Sequence, residues 1–450
     1  MAIIIAGVNV KGKLAEGKTK ILHLIRNRPG KTLVEAKNDI TAGDGAKHDV
    51  IEGKGSLSTM TTCNVFRLLK ACGVPVAFDE QVGDCQFIAD YCTMLPYEVV
   101  VRREAHGSFL ERFPHLQKGH LFPKLVFELF AKTSGKKCLS RDIPMDDPLV
   151  QFVGDDVDFY LPHWTKAQKE ESKQTGAKGY LVGQKPFLTV LQKNFFMRTD
   201  EEILLKQMEE KARFIFLVLE KAWQLQGRRL VDFKLEFGIT TDGRLVLADV
   251  VDNDSWRLVN EEGEYDDKQG YRDGADLNDV THRYRLIAEL SNRFGLSRQQ
   301  IIGWVGSSTD NLNWFVDGLK EYDCEGCVGV KVITCSAHKK PVIANILLNK
   351  AVQDVPDSVL VSFIGMSNGA GPTLSSNCTI PVITIPANVK EFSDDVWSSL
   401  RTPSNVPVMT VLNPKNAMLA ALQILAMRNP WLYAKLRIEQ EKRFLNVMEI

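Results

Sequence analysis

Glu236 and Asp249, with Lys234 two positions before the first, are the residues whose types and spacing point most directly to chemistry. They sit in "LVDFKLEFGITTDGRLVLADV", residues 230–250, where Asp242-Gly243 between two strand-like runs is a strong hairpin signal. With those two residues as the loop, Thr241 faces Arg244 and Glu236 faces Asp249. Directly opposed carboxylates have Cβ atoms about 5 Å apart and repel each other. A cation between them removes that cost, and Mg2+, shared with nucleotide phosphates, is a hard ion suited to two carboxylates. Strand alternation puts Lys234 on the same face. Solvent-facing charges on an amphipathic hairpin, with Lys234 neutralising one acid, are the plainer reading of the same letters. A longer loop or a bulge would also break the register.

A second stretch, "GKLAEGKT" at 12–19, satisfies the phosphate-loop pattern G-x-x-x-x-G-K-[ST]. That motif would put Lys18 on a phosphate and Thr19 on magnesium at the mouth of a helix. The chain continues instead as "TKILHLI", which reads as a strand. A glycine turn between two strands is not a phosphate loop, though such a hairpin can cover phosphates with backbone N–H groups and lysines. Two further segments suit an anionic ligand. "VVRREAHGSFLER" places Arg102 and Arg103 near Gly107 and Ser108, and "DNDSWRLV" gathers Asp252, Asp254 and Arg257 ahead of Lys268 and Arg272.

The elements that must hold these residues are legible too. "EVVVRREA" and "KLVFELFA" read as extended, and "TDEEILLKQMEEKARFIFLVLEKAWQLQG" as a long packing helix, capped by Thr199 and ended by Gly227. "LNDVTHRYRLIAELSNRF" is helical and leads into "GLSRQQ", the expected inter-domain link. Beyond it, "IIGWVGS", "VGVKVIT", "SVLVSFIG", "PVITIP" and "VPVMTVL" alternate with helical stretches, the beat of β-α units in a parallel sheet. Three polar loops come after its strands: "GSSTD" (306–310), "CSAHKKP" (335–341) and "GMSNGAGP" (365–372). Ligands of open parallel sheets bind at the carboxyl ends of strands, so these loops can converge. His338, the one histidine of that half, lies in one of them, and an imidazole can carry a proton on and off carbon near neutrality.

Bulk properties bound the answer. The 450 residues allow two to four domains, and 44% hydrophobic with 25% charged residues is an ordinary globular composition. Fifty-six basic against 56 acidic residues removes the global electrostatic case for nucleic acid or an anionic membrane as partner. Nine scattered cysteines, with Cys324-x-x-Cys327 lacking a second pair, read as reduced thiols rather than a zinc tetrad. No stretch approaches the ~20 apolar residues of a membrane span, and "MAIIIAGVNVKGK" is too short a run for a signal core. The expectation is a soluble, cytoplasmic protein.

Taken together, "KLAEGKTK", "ITAGDGAKHDVIEGKG", "VVRREAHGSFLER", "VDFKLEFG", "LADVVDNDSWRL" and "DKQGYRD" closely resemble SAICAR synthetase, in family order across the first half. The resemblance implies a two-lobed, ATP-grasp-like or kinase-like ATP site whose lid is 12–25. It implies ATP and Mg2+ as cofactors, with Lys18, Thr19, Lys20 and Glu236 on ATP and Glu236 and Asp249 on the metal. Lys234 would be catalytic, and Arg102, Ser108, Asp254, Arg257, Lys268 and Arg272 would bind substrate. The family joins L-aspartate to CAIR, an aminoimidazole ribotide carboxylate, through an acyl phosphate. The absence of "HRD" and "DFG" argues against a protein kinase relative. His106 departs from the small hydroxyl residue of animal relatives.

The second half resembles the AIR carboxylase domain of the type that uses CO2 directly, and the fusion is that of the animal bifunctional enzymes. The resemblance implies His338 as proton carrier, with Ser307, Asp310, Ser336, Lys339, Ser367, Asn368 and Gly369 lining the site. It also implies assembly as a homo-octamer through this domain. Met366 stands where the family loop has arginine, Thr309 where it has serine and Lys340 where it has glycine. A degenerate carboxylase kept as an oligomerisation scaffold is the alternative. The expected architecture is an α+β two-lobed synthetase domain over 1–275 and a helical linker region over 276–298. An α/β/α, flavodoxin-like parallel-sheet domain occupies 299–450.

Overall fold

The computed structural model describes residues 3–42, 47–113, 115–133, 137–138, 141–142, 147–161, 185–196, 198–272, 274–308, 313–322 and 324–444. Asp310 and Thr309 fall outside the described residues. The chain forms two compact units, Met1–Gly295 with Glu441–Ile450, and Leu296–Gln440. The break falls in "GLSRQQ", and residues 276–295, read from sequence as part of a linker, pack into the first unit.

Among the described residues the first unit carries two large antiparallel sheets and two two-stranded ribbons, Asp39–Ala42 with Lys47–Val50 and Lys137–Cys138 with Arg141–Asp142. One large sheet runs β1 (Ile3–Ile5), β2 (Val8–Glu16), β3 (Lys20–Ile25) and β4 (Lys31–Ala36), then β6 (Gln86–Asp90) and β5 (Phe78–Gln81). Helix α1 (Lys54–Ala71) precedes β5. Gly17 to Thr19 form the turn between β2 and β3, with the Gly17 amide donating to the Lys20 carbonyl at 2.9 Å. A strand succeeds the glycine turn, so the phosphate-loop pattern is met in letters only.

The second sheet contains β7 (Tyr97–Glu104), β8 (Leu121–Ala131), β9 (Leu149–Val153), β10 (Asp156–Tyr160) and β11 (Leu188–Leu191), and helix α2 (Ser108–Arg112) falls between β7 and β8 in the chain. Helix α3 (Glu201–Gln224) then leads to β12 (Arg229–Thr240), β13 (Leu245–Ala248) and β14 (Trp256–Val259). The order is β11-β10-β9-β8-β7-β12-β13, with β14 also on β12. Phe233, Leu235 and Phe237 of β12 are buried, and Phe216 of α3 lies 5.1 Å from Phe233 between ring centroids. That packing is what fixes the opposite, polar face of β12. Helix α3 begins after Asp200 rather than the expected Thr199, and Asp200 makes no side-chain cap bond. Gly227 takes the left-handed conformation (φ 68°) just past its end, as expected. Short α4 (Gln269–Arg272) and α5 (Leu277–Ser291) complete the unit.

The hairpin register differs from the sequence reading. Glu236 pairs with Ala248 and Ile239 with Leu245, one residue off the expected alignment. Thr240 and Arg244 close a three-residue loop, and Gly243 at φ 84° supplies its left-handed position. Asp249 therefore lies beyond β13 rather than opposite Glu236, in a left-handed conformation of its own (φ 64°).

The second unit is a five-stranded parallel sheet. In chain order it comprises β15 (Gln300–Val305), α6 (Asn313–Glu321), β16 (Gly329–Thr334), α7 (Pro341–Asp354) and β17 (Ser358–Ile364). Then come α8 (Ala370–Ser375), β18 (Val382–Pro386), β19 (Met409–Thr410) and α9 (Pro414–Ala426). The order β16-β15-β17-β18-β19, every pair parallel, is the flavodoxin-like 2-1-3-4-5 arrangement. The three central strands β15, β17 and β18 are buried on both faces: Ile301, Val359, Val361, Ile383 and Ile385 pack toward α6 and α9, and Ile302, Trp304, Leu360 and Val382 toward α7 and α8.

Candidate active sites

Strand β12 sorts the chemistry of the first unit. Its alternation carries Asp232 and Lys234 into one cavity and Glu236 into the next. The cavity at Glu236, about 260 Å3, is walled by apolar side chains including Leu22, Val34, Phe87 and Ala248. Its charged end holds Lys20, Lys132, Glu236 and Asp249. Lys132 bonds Glu236 at 2.8 Å, and Lys20 pairs with Asp249. Burial pulls the Lys20 ammonium down to about 8 against the opposing pull of Glu236. The two expected metal ligands thus share a wall, although they are not the cross-strand pair that the sequence suggested. Among the described residues no group of three or more His, Cys, Asp or Glu side chains forms a metal cage. Two carboxylates fit Mg2+, which keeps waters and phosphate oxygens in its remaining positions.

The second cavity, about 400 Å3, is lined by Lys18, Arg102, Lys234, Arg257, Lys268 and Arg272, with Asp232 and Asp254. Every one of these cations stands out in the sequence. Arg102 stands directly across from Asp232 on the neighbouring strand. Its Nη1 lies 2.7 Å from Asp232 and its Nε 2.6 Å from Glu128. Glu128 also binds Arg112, and Asp232 accepts from Arg257 at 2.6 Å. The result is a buried alternating series, Arg112–Glu128–Arg102–Asp232–Arg257, whose last member faces the cavity. Burial opposes the charge on Arg102, but Glu128 and Asp232 outweigh it and raise its pKa. Arg103 turns the other way and binds Glu220 of α3 at 2.6 Å.

Thr19 and Ser108 line neither cavity. Ser108 opens α2, and the contact near it belongs to Gly107, where an added Cβ would lie 2.5 Å from Arg257 Nη2. Lys234 is held by Glu98 at 2.7 Å, not by Glu236. His106 is buried between Tyr265 (2.6 Å) and Glu104 (3.3 Å). Lys132 escaped the sequence reading because it arrives from the end of β8. Asp232 was within reach, since it shares the parity of Lys234 and Glu236. A third cavity, about 390 Å3 and lined in part by Phe109, Phe113, Phe127, Phe152 and Phe196, includes none of the candidate residues in its lining.

In the second unit the three loops leave neighbouring parallel strands at their carboxyl ends. A Cβ placed on Gly369 would lie 3.6 Å from Ser367 Oγ and 3.7 Å from His338 Nε2, so two of the loops meet at this glycine. His338, Lys339, Ser307 and Ser367 are exposed, and Ser336 is half-buried. Asn368 is buried. Its Nδ2 donates to Ser399 at 2.6 Å, its Oδ1 accepts from Thr384 at 2.7 Å, and its amide donates to Asp395 at 2.8 Å. It anchors the loop, and Ser367 beside it is left-handed (φ 57°). Met366 in the same loop is 70% exposed.

Comparison with known proteins defines the class. Residues 13–147 and 189–289 match the family model described as SAICAR synthetase, and residues 305–444 match that of AIR carboxylase. A bifunctional phosphoribosylaminoimidazole carboxylase/phosphoribosylaminoimidazole succinocarboxamide synthetase of Mus musculus is 34% identical over 441 residues, covering 96% of this chain and 93% of its own. A Caenorhabditis elegans relative, described as a probable multifunctional protein ADE2, is 32% identical over 446 residues, 96% and 94% respectively. A solved SAICAR synthetase in complex with ADP overlaps 62% of this chain and 96% of its own, at 28% identity and a TM-score of 0.46. The chain belongs to the family of bifunctional enzymes that join SAICAR synthetase to AIR carboxylase.

Proposed function

We propose that the chain carries out two consecutive steps of purine biosynthesis. The second unit adds carbon dioxide to AIR to give CAIR, and the first uses ATP to join CAIR to L-aspartate, giving SAICAR. The observation that carries the reading is the division of labour along β12, between an apolar slot with a charged end and a cavity rich in cations.

In the first unit the slot takes the nucleotide base, in an ATP-grasp-like setting with the β2–β3 hairpin as lid. Lys18, Lys20 and Lys132 face the phosphates. Glu236 and Asp249 would hold Mg2+, which would supply charge neutralisation for phosphoryl transfer. Arg257, Lys268 and Arg272 hold the ribotide phosphate and carboxylate, and Lys234 lines the same cavity. The CAIR carboxylate attacks the terminal phosphorus and ADP leaves. The aspartate amine then attacks the acyl carbon, phosphate leaves, and the amine surrenders a proton. Catalysis here is positioning and charge neutralisation, which explains a site rich in lysine and arginine.

In the second unit His338 takes the proton displaced from the ring carbon as the new carbon–carbon bond forms. Lys339 and Lys340 supply positive charge where Met366 supplies none. The family match over residues 305–444 favours a working carboxylase over a scaffold. We also assign this unit the homo-octameric contacts, and the protein to the cytoplasm; among the described residues no helix is long and apolar enough to cross a membrane. The test is SAICAR formation by purified protein from AIR, bicarbonate, aspartate, Mg2+ and ATP, beside a tube started from CAIR. Product in both tubes is expected. Product only from CAIR would reduce the second unit to a scaffold, and product in neither would overturn the reading.

A further inference from the structure

Asp254 is out of place by charge. It lines a cavity whose other walls are mostly cationic, and a carboxylate there repels every phosphate and carboxylate that the cavity is built to attract. Its surroundings are arranged to keep it so. Lys268 lies 3.4 Å away, from the turn before α4. Lys54, at the start of α1 and essentially without solvent contact, also lies 3.4 Å away, and the Tyr284 hydroxyl of α5 donates to the other carboxylate oxygen. The Lys54 ammonium in turn lies 5.4 Å from the centre of the Tyr284 ring. The family resemblance implies no role for Lys54 or Tyr284. They come from elements far apart in sequence, and α5 lies in the segment that the sequence suggests is a linker.

We infer that Lys54 and Tyr284 are positioning residues that hold Asp254 charged and aimed at the amino group of a substrate. This rests on the cavity being the ligase's substrate site. Among the groups the ligase must hold, the complement of a carboxylate is an N–H donor: the ammonium of aspartate or the ring amine of CAIR. The electrostatics agree with the geometry. Burial alone would raise the pKa of Asp254, but Lys54, Lys268 and the Tyr284 hydroxyl outweigh it and hold it below the ordinary carboxylate range. The neighbouring Asp252 goes the other way, raised by burial and then by the charge on Asp254, so of the two carboxylates the one that lines the cavity holds its charge more firmly. Burial and the Asp254 charge push the Tyr284 phenol well above its usual value, so it remains a donor throughout the neutral range.

The test is steady-state ligation by the full-length protein with Tyr284→Phe, which removes one oxygen and keeps the ring beneath Lys54. The expected result is a rise of about ten-fold or more in KM for aspartate or for CAIR, with KM for ATP within about two-fold of wild type. Whichever constant moves identifies the amine. The acid limb of the matching kcat/KM profile should also move to higher pH, because a donor to the charged form has been removed. Lys54→Met should move the same constant and Lys54→Arg should recover most of it. Unchanged constants, or all three rising together, would overturn the inference. Wild-type protein that makes no SAICAR from CAIR would instead refute the functional reading beneath it.

Discussion

Asp267 has no solvent contact, yet carries a carboxyl that accepts from the Leu258 amide at 2.7 Å and the Gln269 amide at 2.5 Å. It ties β14, which bears Arg257, to α4, which bears Arg272. Burial raises its pKa to about 7, with the two amides and then Arg257 and Arg272 pulling the other way. An unfolded aspartate titrates near 3.9, so between about pH 4 and pH 7 the folded chain holds a proton that the unfolded chain has lost. Stability therefore falls as pH rises through that window and levels off above it. Asp267→Asn should remove this slope. Relative to wild type, the variant should gain on the order of 4 kcal/mol between pH 4 and pH 7 in denaturant unfolding, whatever constant offset its altered hydrogen bonds add.

At the scale of elements, the turn into α2 shows how a backbone sets the place of a cavity-lining side chain. Gly107 has φ 58°, and a Cβ there would press on Arg257. Gly107→Ala should cost about 1–3 kcal/mol in backbone strain and displace the guanidinium. Its KM for CAIR should rise roughly ten-fold while KM for ATP holds. Much of this architecture was legible in the sequence. The β2–β3 hairpin, the long helix and the parallel sheet all come from apolar period and turn residues. The β12–β13 register was not. Asp-Gly suits a two-residue loop and the end of a three-residue loop alike, and only the ladder separates them. Glu236 and Asp249 nevertheless reach one cavity, because Asp249 leaves β13 in a left-handed turn. Lys132 and Lys54 could not be read locally, since their partners Glu236 and Asp254 lie 104 and 200 residues away. Even Tyr284 stands 30 residues from Asp254, on a helix whose sequence shows only a packing face.

For the whole molecule, two chemistries on two units should separate cleanly. Glu236→Gln should lower ligation by at least a hundred-fold and leave AIR carboxylation intact, and His338→Ala should do the reverse, each read in coupled and CAIR-started assays. Chelation of divalent ions should stop SAICAR formation from CAIR without touching carboxylation, and added Mg2+ should restore it. Met366→Arg should change carboxylation little if Lys339 and Lys340 already serve the anion; a large gain would show that the loop had lost a contact.

The buried series from Arg112 to Arg257 has a consequence for how this sequence can drift. Losing one member strands its neighbour's charge in the interior, a penalty of roughly 3–5 kcal/mol, whereas replacing opposite partners together can be nearly neutral. Arg112, Glu128, Arg102, Asp232 and Arg257 should therefore vary among descendants as a linked group. A lone change at Arg112, outside the lining of the cation-rich cavity, should be as poorly tolerated in a population as one at Arg257 itself.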